Sequence, residues 1–216
     1  MPVRVRPEAP INIERISVIM PYHIVQDMKS VMKRDMYPSF DGLQRTHDLL
    51  QTFEIMGAYY HFWLSHTKAV AEITTETKDD IGQIRQLIVS KVRFDNRSNL
   101  PVENELQVDT VYTHIDYQTM NLAVTLYRVL ARYNYTSVSD FTQYNGGKAL
   151  WKKLAKESEA RKFVVRVWDD EAQDWMKDSS GNAMKYNAEN MDDEEIWKDI
   201  SQHNEATTLL VLTSSE

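Results

Sequence analysis

The chain contains no cysteine. Disulfides, thiol nucleophiles, iron–sulfur clusters and cysteine-bearing zinc sites are therefore excluded together, and a reducing compartment is compatible with the composition. No stretch approaches the roughly 18 uninterrupted apolar residues of a membrane helix. The opening MPVRVRPEAP has two arginines but no apolar run behind them, so no signal peptide is expected and the location is read as intracellular or virion. Catalytic signatures are missing as well. There is no H-E-x-x-H, no G-x-S-x-G and no Walker A; Asn145-Gly146-Gly147-Lys148 is too short for a phosphate loop and follows no predicted strand. No catalytic residue, metal ligand set or cofactor is assigned, and an enzyme is the less favoured reading.

What the chain does have is apolar material in quantity: 42% hydrophobic and 10% aromatic residues in 216, enough for one large domain or one domain with a small appendage. The longest apolar-periodic stretch is Leu43–Ile73, with Gly57 its one glycine and no proline. Leu43, Leu50, Phe53, Tyr60 and Leu64 recur at helical spacing, as do Leu49, Phe53, Met56, Tyr60, Trp63 and Val70, which predicts a buried central helix capped by Asp41. Gly57 inside a helix costs about 1 kcal/mol against alanine, an expense that a close helix crossing would offset.

Around that element the spacing predicts a mainly α architecture of five to seven helices. Residues 1–20 read as an extended arm bearing Pro2, Pro7 and Pro10, and Pro21 suits the first position of a helix. Ile81, Ile84, Leu87, Ile88 and Val92 predict a helix to about Phe94. Residues 102–134 are expected to be helical, in two pieces meeting near Asp116, and Lys148–Ser158 forms another helix with Leu150, Trp151 and Leu154 inward. Ser137 or Ser139 is a candidate cap for a short helix over Phe141–Tyr144. The texture then changes. Phe163–Trp168 reads as a strand, followed by turns at Asp169–Asp174 and Asp178–Asn182, short strands at Trp175-Met176 and Ala183–Tyr186, a short helix capped by Asn190, and a closing strand at Thr207–Thr213. The expected organisation is an arm (1–20), a helical core (21–160) and a small acidic α+β subdomain (161–216). From Arg161 onward six Lys/Arg face thirteen Asp/Glu, whereas the preceding residues hold nineteen of each sign.

Among polar groupings, His61 and His66 are five apart rather than three or four, and His114 with Asp116 is too short a pattern to mean much, so packed or surface histidines are expected. Asp169, Asp170, Glu171 and Asp174 could gather a hard cation, as could Asp192–Glu195. In Asp178–Asn182 the glycine falls at the fourth position of a calcium loop instead of the sixth and no glutamate closes it, so solvated turns are the simpler account. The basic pattern is more suggestive. Lys148, Lys152 and Lys156 share one helical face with Lys153 beside them; Arg161 and Lys162 follow, and Arg128 and Arg132 repeat the spacing upstream. If these faces converge, with Arg85, Lys91, Arg93 and Arg97 adding charge, they would track a phosphate backbone, with Tyr133, Tyr135 or Trp151 stacking on bases. The bland alternative is a solvated amphipathic face.

The favoured expectation is a self-associating, non-enzymatic structural subunit, such as a viral or phage coat protein or nucleoprotein. The proline-bearing arm and charge polarity suit head-to-tail contacts. A single-stranded nucleic-acid-binding module using the 128–162 basic face is the alternative, and an enzyme with a dispersed site the third.

Overall fold

Leu43–Ile73 is not a helix. In the computed structural model, which describes residues 37–78, 81–95, 100–140, 145–158, 162–191, 196–197 and 207–215, it forms the tail of a one-turn helix α1 (Phe40–Gln44), two strands, and the start of a third. Strand β1 (His47–Ile55) pairs antiparallel with β2 (Ala58–Ser65) through a two-residue loop, Met56-Gly57, closed by the Ile55–Ala58 pair. Met56 and Gly57 both have positive φ (53° and 82°), the combination a type I′ hairpin loop requires. Gly57 therefore serves a turn and not a helix crossing, and nothing lies within 4 Å of where its Cβ would stand. The run Tyr59-Tyr60-His61-Phe62-Trp63 is dense in residues that suit a pleated surface. Tyr60, Phe62 and Leu64 are buried on one face and Trp63 on the other, so covering on both sides removes the polar–apolar alternation that would have marked a strand. The cap of α1 also differs from expectation: the Ser39 hydroxyl accepts from the Gly42 amide at 3.0 Å, and Asp41 lies in the first turn.

The meander continues through β3 (Val70–Lys78), β4 (Ile84–Phe94) and β5 (Glu105–Thr113), all antiparallel. The helix expected over 81–94 and the first half of that expected over 102–134 are thus strands. The second half is a helix. After a 3₁₀ turn (Ile115–Met120), α2 (Leu122–Arg132) buries Leu122, Leu126, Val129 and Leu130 and crosses from β5 to the parallel strand β6 (Thr136–Val138), which contains Ser137. Helix α3 (Asn145–Ser158) buries Trp151 and Leu154 as predicted but opens on Asn145-Gly146-Gly147. Strands β7 (Phe163–Asp169), β8 (Asp174–Trp175) and β9 (Thr208–Ser214) lie where strands were expected. The arm at 1–20, the helix after Pro21 and the short helix over Phe141–Tyr144 fall outside the described residues, as do Asp192–Glu195.

The mainly α expectation is replaced by a mainly β fold. One nine-stranded mixed sheet runs in the order β1-β2-β3-β4-β5-β6-β9-β7-β8. Strand β9 sits between β6 and β7, so residues from both sides of position 160 share the sheet. Helices α2 and α3 lie on one face over a continuous core that includes Phe62, Ile73, Val89, Leu106, Leu130, Trp151, Val165 and Leu210. Tyr127 of α2 meets Trp151 of α3 edge-on, with ring centroids 5.5 Å apart. On the opposite face a smaller cluster (Leu100, Val138, Trp168, Leu209, Val211) lies over β6-β9-β7, and Phe40 of α1 packs edge-on against Trp63 at 5.1 Å. No helix among the described residues is long and apolar enough to cross a membrane.

Candidate functional site

The cations singled out by spacing are only partly brought together. Helices α2 and α3 run side by side, and Arg128 pairs with Glu157 across them. Lys153 Nζ donates to Asn121 Oδ1 at 2.6 Å, and burial, then the neighbouring Arg128, lowers its pKa. Lys156 meets Glu189 at 3.1 Å. Arg132 stands in the last turn of α2, Lys148 and Lys152 one turn apart on α3, and Lys162 just before β7 in a left-handed conformation, while Arg161 and Arg97 lie outside the described residues. Lys91 and Arg93 share the sheet face of Trp63, away from α2 and α3, because Lys91 pairs with Glu72 and Glu72 with Trp63. Trp151 is buried and unavailable for stacking. Tyr133 donates its hydroxyl to the Leu50 carbonyl, and Lys68 sits 5.3 Å from the centre of the Tyr135 ring.

The face of the meander opposite the helices holds a polar network inside the sheet. Trp63 Nε1 donates to Thr74 Oγ1 at 2.9 Å, and Thr74 Oγ1 donates to Gln86 Oε1 at 2.7 Å. Lys91 Nζ lies 2.7 Å from a Glu72 carboxylate oxygen. Every described histidine has a polar neighbour: His47 with Thr46, His61 with Thr52, His66 with Asp48 and His114 with Asp116. Burial lowers the pKa of His47 and His61. The acidic turns use their carboxylates on backbone: Asp169 accepts from the Glu171 and Ala172 amides, Asp178 from those of Ser180 and Asn182. Among the described residues no three His, Asp or Glu gather in a way that would hold a metal.

The arrangement that spacing did not reveal is at the turn end of the meander. The register Tyr60–Thr75 and Lys78–Ile84 sets the Met56-Gly57 loop and the Lys78–Ile84 end of the β3-β4 pair side by side at one end of the sheet. Two strand spacings put them roughly 10 Å apart. Met56 is 95% exposed, Ile81 77%, Ile84 66% and Tyr59 57%. Their clustering is unusual, since scattered single exposed apolar residues are the norm. Met56 is more telling still. Its position in the loop favours asparagine or aspartate, and a left-handed backbone costs a residue with a Cβ about 1 kcal/mol.

Comparison with protein-family models, curated proteins and solved structures finds no match to this chain.

One carboxylate is strongly perturbed. Burial, and secondarily Asp170, pushes Glu105 at the start of β5 up to about 7 from an ordinary 4.5. A raised carboxylate holds its proton longer in the folded state, so its contribution is intact below about 4.5 and lost as pH rises through 7. Glu105→Gln is expected to flatten stability over that window and to stabilise the protein at pH 8 by about 1 kcal/mol, a value discounted for the group's partial exposure. Urea unfolding at pH 5 and 8 checks it; an unchanged pH slope in the variant would assign the effect elsewhere.

Proposed function

We propose that this chain is a non-enzymatic structural subunit that associates with copies of itself, of the kind that builds viral or phage coats or nucleoprotein particles. The observation that carries the reading is Met56: a large apolar side chain held almost fully in solvent, at a turn position where a polar residue would be more stable, at the same end of the sheet as exposed Ile81 and Ile84. A contact with another copy would give those side chains the burial the isolated fold denies them, each contributing about 1.5–3 kcal/mol if fully covered. The 128–162 nucleic-acid reading has less support, since Arg128, Lys153 and Lys156 are engaged with protein groups.

Light scattering across protein concentration tests the proposal. The protein is expected to grow in mass with concentration, and Ile84→Lys to weaken association by about 30-fold, the equivalent of one buried aliphatic side chain. Met56→Asn separates the two roles of that position, since it should raise folding stability while lowering association. A parent protein that stays monomeric at all concentrations and salts would overturn the reading.

A further inference from the structure

Arg166 on β7 and Lys185 face each other across an isolated antiparallel bridge. The flanking bonds, Val167 N–H to the Met184 carbonyl at 3.1 Å and Tyr186 N–H to the Val165 carbonyl at 2.9 Å, make this a non-hydrogen-bonded pair. In such pairs the Cα atoms stand only about 4.5 Å apart and the side chains are at their closest. Two like charges directly opposite destabilise a sheet. Among the described residues neither Arg166 nor Lys185 joins an ion pair that would relieve them. Arg166 is half-buried, and its Nη1 donates to Thr213 Oγ1 of β9 at 3.1 Å, which anchors the guanidinium at the groove wall. Both side chains line an open groove of about 600 Å³ whose far rim is the Asp178–Asn182 turn.

We propose that this groove binds a dianionic phosphate group, free or as a monoester, between Arg166 and Lys185. The guanidinium fork matches phosphate oxygens bidentately, and the lysine supplies a mobile second charge. Two cations held together match a dianion better than a carboxylate. Asp178 on the rim works against an anion, but its Oδ1 is committed to the Ser180 and Asn182 amides at 2.9 Å each, which draws off part of its charge. The groove lies on the sheet face away from α2 and α3, several strands from the Met56 tip, so it is independent of the assembly reading.

The test is a titration of the full chain with inorganic phosphate at fixed ionic strength and pH 7.5, following the Lys185 amide and Arg166 Nε–H by NMR. Glycerol 3-phosphate and acetate are titrated in parallel. Saturable binding of phosphate but not acetate is expected, weakened at least tenfold by Lys185→Gln, abolished by Arg166→Gln and tightened severalfold by Asp178→Asn, which keeps the turn's acceptor oxygen. Tighter binding of the glycerol ester would make the natural ligand a phosphomonoester, and equal binding the free ion. Lys185 is exposed, so Lys185→Gln leaves the fold intact, and without phosphate it is expected to raise the melting temperature by removing the repulsion. Acetate binding as well as phosphate, or unchanged affinity in Lys185→Gln, would overturn the site.

Discussion

Lys91→Met is expected to cost about 3 kcal/mol of folding stability, because it leaves the Glu72 carboxylate buried without its counter-charge. The side chains of Glu72 and Lys91 are 5% and 23% exposed, and their charged atoms are 2.7 Å apart. Methionine matches most of the lysine stem, so little of the loss is packing. The reverse change, Glu72→Gln, should cost less, since the orphaned lysine can extend its ammonium toward solvent along its flexible stem. Replacing both residues, as Glu72→Leu with Lys91→Met, removes two desolvated charges at once and should return stability close to that of the parent. Urea unfolding of the four proteins gives the coupling directly, and additive effects would contradict a closed pair. A second reporter sits beside it. Burial holds the His47 pKa down, with Glu72 pulling it up and Lys91 pushing it down. Lys91→Met removes one influence and unmasks the other, so the His47 pKa should rise.

The elements legible in the sequence were those with a single covered face or an uninterrupted strand pattern. Helix α2 shows its stripe (Leu122, Leu126, Val129, Leu130) because its other side carries the polar Thr125, Arg128 and Arg132, and β7 shows its β-branched run. Leu43–Ile73 and 81–94 misled for a specific physical reason. The register shifts between Leu49 and Gln51 on β1, so Leu50 and Phe53, three residues apart, both pack on the helix-bearing face. A second shift, opposite Ile73-Thr74, puts Val89 and Val92 of β4 in the same relation. A bulge adds one residue to a two-residue repeat, and a three-residue step is what a helix displays. With both faces of β2 covered as well, nothing in the local pattern favoured the strand except the aromatic content and the Met56-Gly57 pair. The candidate surfaces depend on the same strand pairing. In a helix Met56 would count as core; only the hairpin turns it outward. The Arg166–Lys185 pairing joins residues 19 apart whose register depends on the 169–183 turns, and composition does not specify that register.

Trp63→Ala should rank with Lys91→Met, costing about 4 kcal/mol, since a fully buried indole leaves a cavity its neighbours cannot close. The loss should also be directional. Trp63 is the platform on which Phe40 packs edge-on, and Phe40 is the first residue of α1, which otherwise reaches the sheet through buried Leu43 and the Gln86 amide donated to the Pro38 carbonyl at 3.2 Å. Hydrogen exchange should therefore report local opening: the Leu43 and Thr46 amides, bonded to the Ser39 and Leu43 carbonyls, lose protection beyond the global fall, while those of α2 follow global stability alone. Trp63→Phe keeps a ring under Phe40 and should preserve α1 protection, although Thr74 then loses the donor that Trp63 Nε1 supplies. If α1 and α2 lose protection equally in Trp63→Ala, the indole is a filler of the sheet face and not the anchor of α1.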